Sequence, residues 1–410
     1  MTDTRLLRQV ADALLRARGR RHLAALDRLR PERSQTRILL GLLHQARSTP
    51  FGRDHGFARI RTAADFRRLV PVQTFDELWQ EWGRLDEITW PGLADQLLPY
   101  ETGDGLSRRY LPLSPALEAA HRAANQTALA LVHRARPQAG FCTGALVFLG
   151  EALAADRLAE GKCDGEAALN LRQLPWPTRH YALAEPTTSA RAAVTCLAGS
   201  MPSLLQLLAE VKNSAQRDRL TDVWPSLTAV LWSRKPSDPP AALLREEVGA
   251  GVVLLEMASR FGSPIAVEDP ETGLLRWLPD HGVYFEFIPA EEVNKPQPER
   301  YSFDRVVPGA EYELVLTSPA GLWACRTGEM IRFERRDPPL FCFSGVRIAP
   351  AVQSAKCEVR SERTNETDTS HGAHGTSHVT KGPHRRSAGT PVAPQETFGH
   401  NLWSTPADRG

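Results

Sequence analysis

Apolar positions recur with a helical period at the start of the chain. Between residues 5 and 29, Leu6, Leu7, Val10, Leu14, Leu15 and Leu23 alternate with arginines, which predicts an amphipathic surface helix. Asp3, Asp12 and Asp27 interrupt the arginines, so the segment does not read as an acid-poor transit peptide. Ser34 is placed to cap a second helix carrying Ile38, Leu39, Leu40, Leu42 and Leu43. Residues 48–57 form a turn-rich loop. Thr62 and Thr74 precede short helical patterns over 63–69 and 75–82. Val70-Pro71-Val72 between them is extended, because proline disfavours helix at the residue before it. Ser114-Pro115 opens a long helix, with proline at the tolerated first position. Residues 187–198 and 202–211 read as two more helices, the second capped by Ser200. Short apolar runs at 143–149, 227–232 and 251–255 have the character of buried strands.

From Leu274 the pattern shifts. Residues 282–288, 312–317 and 330–333 are β-rich and separated by turns. The expected organisation is an N-terminal amphipathic helix over 1–34 and a large α/β domain over 35–350, with a strand-rich subdomain at 274–348. Residues 361–397 contain no Leu, Ile, Met or aromatic residue. Such a segment buries too little apolar area to offset its ordering entropy, so 351–410 is expected to be a disordered tail.

Composition excludes more than it assigns. The chain is 42% hydrophobic and 24% charged, as globular proteins are. Fifty basic and 48 acidic side chains leave a net charge of +2, which removes the electrostatic case for nucleic acid as a partner. No run of 18 apolar residues predicts a membrane span. The six cysteines form no C-x-x-C pair, and several sit in apolar runs; buried free thiols in a reducing compartment follow, with a cytoplasmic location.

Common site motifs fail residue by residue. Gly103-Asp104-Gly105 is followed by Arg108 where a dinucleotide fingerprint needs its third glycine. Gly161-Lys162 has Asp156 in place of the first P-loop glycine and Cys163 in place of Ser/Thr. There is no G-x-S-x-G elbow. His371, His374 and His378 have metal-like spacing, but no carboxylate or cysteine completes a shell, so no metal site is assigned. The segment from Glu101 to Ser114 offers hydroxyls, two glycines and two arginines just before a helix. Backbone N–H groups of glycine turns beside a cation suit a triphosphate; a polar surface loop has the same composition.

Several blocks in order resemble the Gretchen Hagen acyl acid amido synthetases, a family of the acyl-adenylate-forming superfamily. Residues Thr49 to Phe57 followed by Val70-Pro71-Val72 resemble the family's N-terminal block. Residues 101–114 sit where the family has its Thr-Ser-Gly-Thr-Thr phosphate loop. Gly282 to Pro289 resembles its Phe-Phe-Glu-Phe-Ile-Pro strand. Glu311 to Thr317, Gly321-Leu322-Trp323 and Arg326 to Ile331 resemble the following stretch, and Pro339 to Phe343 with Arg347 the next. The resemblance implies the large, firefly-luciferase-like N-terminal domain of that superfamily. It implies ATP and Mg²⁺, a small carboxylic acid that is adenylated, and an amino acid whose amine then forms the amide. Carried over by residue, Thr102, Gly103, Gly105 and Arg109 fall on the phosphate loop, Ala258 and Ser259 on the nucleotide segment, and Glu329 on the ribose-binding acid; Arg347 falls on the Gly-Arg element.

The departures divide the functional expectation. Glu101, Asp104 and Leu106 replace Thr, Thr and Gly, and Arg109 stands for a lysine; only six lysines occur in the chain. Arg260 and Phe261 replace the Glu-Gly of the nucleotide segment, and a side chain at 261 is bulky enough to fill the adenine slot. Glu256 stands where an aromatic residue stacks on adenine. Beyond Arg347 the family-like sequence ends, so the small C-terminal lid domain is expected to be absent. The expected function is an ATP-dependent acyl acid–amino acid ligase; the alternative is a catalytically impaired member or fragment serving as a ligand- or partner-binding scaffold.

Overall fold

Two helices lead into the fold. Helix α1 (Thr2–Asp27) packs along α6 (Pro115–Ala135); Leu23 joins the main core, Ala11 and Leu15 pack with Cys142, and Leu26 is also buried. The computed structural model describes residues 2–83, 85, 87–91, 97–101, 108–149, 166–183, 194–215, 218–233, 238 and 241–346. The predicted tail over 351–410 lies outside them. At Gly19 an added Cβ would come within 3.1 Å of the Ala130 Cβ, so glycine is what lets α1 and α6 approach. Asp12 anchors α1 to the chain beyond α6. Its Oδ1 accepts the backbone N–H of Phe141 (3.0 Å) and Cys142 (2.8 Å), and its Oδ2 that of Thr143 (3.0 Å).

Helix α2 (Pro31–Ala46) begins earlier than expected. Arg30 is its N-cap residue and Pro31 occupies the first turn, so Ser34 is a buried residue inside the helix rather than its cap. Proline's fixed φ sets the start. Gln35 then ties α2 to the sheet, donating to the Pro279 and Val283 carbonyls (2.8 and 2.9 Å) and accepting from the Phe285 N–H (2.8 Å). After α3 (Pro50–Asp54), Thr62 and Thr74 cap α4 (Ala63–Leu69) and α5 (Phe75–Trp82) as expected. Both form capping boxes, with Asp65 and Glu77 returning the bond. Ser114 caps α6, its hydroxyl accepting the Leu117 N–H at 3.1 Å.

A mixed sheet forms the centre. Strands β4 (Ala145–Leu149), β5 (Ala182–Leu183), β6 (Val194–Ser200), β7 (Ala229–Ser233) and β8 (Val253–Arg260) run parallel, in the order β5-β4-β6-β7-β8. The sheet then turns antiparallel through β9 (Ser263–Asp269), β10 (Leu274–Trp277), β14 (Pro339–Val346), β13 (Leu322–Arg336), β12 (Glu311–Ser318) and β11 (Tyr284–Pro289). The short β1 (Gln73–Thr74) adds in parallel to β13. A separate hairpin pairs β2 (Leu97–Glu101) with β3 (Arg108–Pro112). Strand β8 is the hinge between the two regimes, parallel to β7 and antiparallel to β9.

The helix expected over 187–198 is overturned where it is described: residues 194–200 are β6, and 187–193 lie outside the described residues. Val194, Cys196 and Leu197 are fully buried. A parallel strand covered on both faces loses its alternation and reads like a buried helix. The next helix does form, over Met201–Ala215, and Ser200 accepts the Ser203 N–H at 3.3 Å.

Candidate functional site

Glu329 is placed by a small polar frame. Its strand, β13, reaches it through a bulge against β12 in which Gly328 has φ +74°, a conformation glycine adopts at little cost. Thr327 Oγ1 donates to the Leu314 carbonyl (2.9 Å) and accepts the Glu329 N–H (3.2 Å). Glu313, fully buried on β12, accepts from Arg326 Nε at 3.0 Å on both carboxylate oxygens and from the Gly328 N–H at 3.2 Å. Arg326 also donates to the Val293 carbonyl at 2.6 Å. A buried carboxylate persists only when paired and hydrogen-bonded. Glu313 is so satisfied, and in return it fixes the backbone that presents Glu329.

The Glu329 carboxylate meets a partner from the other side of the sheet. Arg260, the last residue of β8, donates through Nη2 to Oε1 at 2.7 Å and through Nε to Oε2. Glu329 is 4% and Arg260 8% exposed. The guanidinium lies 4.5 Å from the Phe343 ring centroid on β14. Both carboxylate oxygens are thus engaged by one fork, the geometry in which an Arg–carboxylate pair is strongest.

The turn after Arg260 builds an aromatic bridge. Phe261 has φ +49°, a left-handed conformation that is uncommon for a bulky residue. His121 Nε2 lies 2.8 Å from the Gly262 carbonyl. The Phe261 ring stacks on Phe75 with centroids 5.2 Å apart and planes at 27°. Phe75 opens α5, which β1 anchors beside β13. Over Phe75 and Trp79 sits the Arg109 guanidinium of β3, 5.4 and 5.5 Å from the two centroids. Its Nη1 pairs with Asp76 at 2.5 Å.

Of the residues expected to form a site, Arg109 and Glu329 are connected through this chain of contacts, and Ala258 and Ser259 immediately precede Arg260 on β8. Thr102, Gly103, Gly105 and Arg347 lie outside the described residues. The Phe261 ring stacks on Phe75 beside residues 258–260. Glu256 is buried, and its N–H donates to Glu268 Oε2 at 2.9 Å.

Sequence reasoning passed over the frame that holds the site. Glu313 with Arg326 is one part of it. Glu286 is another: Arg300 Nη1 donates to it at 2.9 Å and Arg67 Nη1 at 3.4 Å, and Arg300 also donates to the Arg67 and Val70 carbonyls at 2.8 Å each. Burial pushes the Glu286 carboxyl up, against the pull of Arg300 and Arg67. The signal was present as an acid between two apolar residues in each strand, Phe285-Glu286-Phe287 and Tyr312-Glu313-Leu314. The N-terminal block also has a structural role. Phe51 and Phe57 pack on Trp323 at 6.2 and 4.5 Å, and Trp323 Nε1 donates to the Thr89 carbonyl at 2.9 Å.

Burial pushes the Cys142 thiol up to about 12 and raises Cys196 and Cys325 further. Among the described residues no group of three or more His, Cys, Asp or Glu is arranged to hold a metal ion, so no step is assigned to Mg²⁺. No helix among them is long and apolar enough to cross a membrane. Both oxygens of the Glu329 carboxylate are taken by Arg260, so a ligand hydroxyl reaches it only when Arg260 withdraws.

The comparisons agree with the order of these blocks. The GH3 (Gretchen Hagen) family N-terminal domain matches residues 25–85, and the GH3 family central domain matches residues 277–345. No curated protein matches. Among solved structures, an acyl acid amido synthetase named AtGH3.15, in complex with 2,4-DB, aligns with a TM-score of 0.58 at 15% identity, over 80% of this chain and 71% of that one. A second acyl acid amido synthetase structure, GH3.15, gives 0.54 at 16% identity, over 77% and 68%. A 2-hydroxyisobutyryl-CoA ligase in complex with 2-HIB-AMP and CoA gives 0.51 at 12% identity, over 76% and 68%. At these identities the alignments establish the fold, that of the adenylate-forming enzymes.

Proposed function

We propose that this chain, which carries the N-terminal and central domains of the GH3 family, is an ATP-dependent ligase that joins a small carboxylic acid to an amino acid. One observation carries the reading. Arg109, the 258–261 segment and Glu329 come from three separate elements, and they are linked by continuous contact through Phe75, Phe261 and Arg260. In this reading Arg109 faces the phosphates and stabilises negative charge as pyrophosphate departs. Phe75 and Trp79 hold its guanidinium in place while keeping it out of bulk water. Ala258 and Ser259 line the nucleotide, and Glu329 accepts from the ribose hydroxyls. The acid's own carboxylate is the nucleophile in the first step and the amine in the second, so no side-chain nucleophile is required.

A second reading rests on the Arg260–Glu329 pair. Arg260 occupies the ribose acceptor in the described state, which fits a member with weakened nucleotide binding that serves as a scaffold. One assay separates the two. ATP–pyrophosphate exchange is measured over a panel of aromatic and fatty carboxylates, with Arg109→Ala as the comparison. The ligase reading expects exchange that falls at least tenfold in Arg109→Ala. Measurable ATP binding without exchange for any acid supports the scaffold, and no nucleotide binding at all rejects the nucleotide site.

A further inference from the structure

The outer side of α1 has no use in the site just described. Among the described residues eleven large hydrophobic side chains are exposed, and four of them fall within nine residues of this helix: Leu6 (61%), Leu7 (65%), Val10 (50%) and Leu14 (61%). Concentration on one short stretch is unlike the scattered exposure normal for a soluble surface. The inner side is committed to the protein body: Gly19 abuts Ala130 of α6, Leu23 joins the main core, Ala11 and Leu15 pack with Cys142, and Asp12 pins the helix to residues 141–143. The helix is therefore rigidly mounted with its leucines facing outward.

Charge follows the same axis. The steps Val10, Leu14, Ala17 and Arg21 trace one line along the helix. The apolar half thus runs into an arginine half. Arg18, Arg20 and Arg21 are exposed around the end of the apolar stripe, and Arg5 is exposed near its start. Between residues 5 and 26 the only acidic residue is Asp12, and its buried carboxylate is consumed by backbone N–H groups. The next acid, Asp27, is paired with Arg276 at 2.5 Å. The exposed side of this stretch thus presents leucine and valine beside uncompensated arginine.

We infer that the outer side of α1 docks on an anionic membrane surface, with Leu6, Leu7, Val10 and Leu14 entering the headgroup boundary and Arg18, Arg20 and Arg21 contacting lipid phosphates or carboxylates. An apolar stripe rimmed by arginine and lacking acids is what an interfacial helix needs. An acidic protein partner would satisfy the arginines but leaves the leucine cluster without a reason to be exposed. The helix lies in the plane of such a surface and does not span it. The inference is independent of the ligase reading.

The test is co-sedimentation of the full chain with vesicles of phosphatidylcholine, alone or mixed with phosphatidylserine. The chain should partition onto the mixed vesicles, weakly onto the neutral ones, and less as salt is raised. Leu7→Gln/Val10→Gln/Leu14→Gln should lower the partition coefficient at least about tenfold, with thermal unfolding unchanged because the three side chains are exposed. Arg20→Gln/Arg21→Gln, a second variant that touches no core residue, should lower it about fivefold per charge on the mixed vesicles only. Equal binding to both vesicle types, or binding indifferent to the leucine variant, overturns the inference. So does a chain that ignores vesicles and instead forms a dimer dissolved by the same substitutions.

Discussion

Replacing Arg260 with methionine tests what the buried fork is doing. Methionine keeps an unbranched side chain against Phe343, which Arg260 approaches at 4.5 Å, and removes the charge. Two charge-assisted hydrogen bonds to Glu329 are lost, each worth about 1.5–3 kcal/mol. Breaking one partner from a buried pair costs about 3–5 kcal/mol, because the remaining carboxylate is left without compensation. Since about 1 kcal/mol moves the melting temperature of a large domain by about 2–4 °C, Arg260→Met should melt roughly 6–20 °C lower. A nucleotide that needs Glu329 must now displace nothing. If half of the pair's energy had opposed binding, ATP affinity rises about tenfold to a hundredfold. The assay is calorimetric titration with ATP and with 2′,3′-dideoxy-ATP, on the wild type, Arg260→Met and Arg260→Met/Glu329→Gln. The gain should appear for ATP, vanish for the dideoxy nucleotide and vanish in the double variant. An equal gain for both nucleotides, or none for ATP with a lowered melting temperature, would refute the assignment of Glu329 as ribose acceptor.

Three further outcomes follow from the packing. Gly52→Ala places a Cβ 2.1 Å from the Ala46 carbonyl oxygen, and backbone cannot yield as a side-chain tip does; the urea midpoint should fall by an amount equal to at least about 2 kcal/mol. Thr74→Ala removes the hydroxyl that accepts the Glu77 N–H at 3.2 Å, costing about 1 kcal/mol; a loss no larger than that of an exposed helix position would show the cap to be idle. Burial holds the His133 imidazole down to about 4, outweighing its bond to the Ala139 carbonyl. The unfolded chain, with its histidine near 6.5, then binds the extra proton first, so stability falls as pH drops from about 6.5 towards 4, by about 1.4 kcal/mol per unit. His133→Leu should flatten that part of the curve relative to wild type, and parallel curves would discount this histidine.

The sequence made local signals plain and long-range ones obscure. Thr62 and Thr74 were readable as caps because the bond they make closes within three residues. The strands from 284 onward were readable because turns bracket each of them. Residues 194–200 misled because a strand buried on both faces leaves no period to count. Ser34 misled because Pro31, three residues earlier, sets the helix start. In the site, the residues of the resemblance were located by their order along the chain, while their supports were not. Glu313 reaches Arg326 from the adjacent strand, and Arg300 reaches across to α4; neither pairing leaves a trace in spacing. Asp76 beside Arg109 is equally silent, since the pair joins α5 to β3 through residues 33 apart in the chain.

Arg260 and Glu329 only make sense together. Taken alone, an arginine in the nucleotide segment is a disruptive change, and a glutamate in place of an aspartate is a mild one. In the fold the longer acid meets the fork of the arginine, so two departures form one satisfied pair. In the ligase reading the pair weakens nucleotide binding without abolishing it. A ligand that would otherwise bind at micromolar concentration has about 8 kcal/mol available, and breaking a buried pair takes about 3–5 of these. What remains, about 3–5 kcal/mol, corresponds to binding between about 0.2 and several millimolar, a range in which ATP is still captured when it is abundant. The fork therefore sets an affinity threshold, and whether turnover survives depends on how the phosphate side contributes, where Arg109 stands on Phe75 and Trp79.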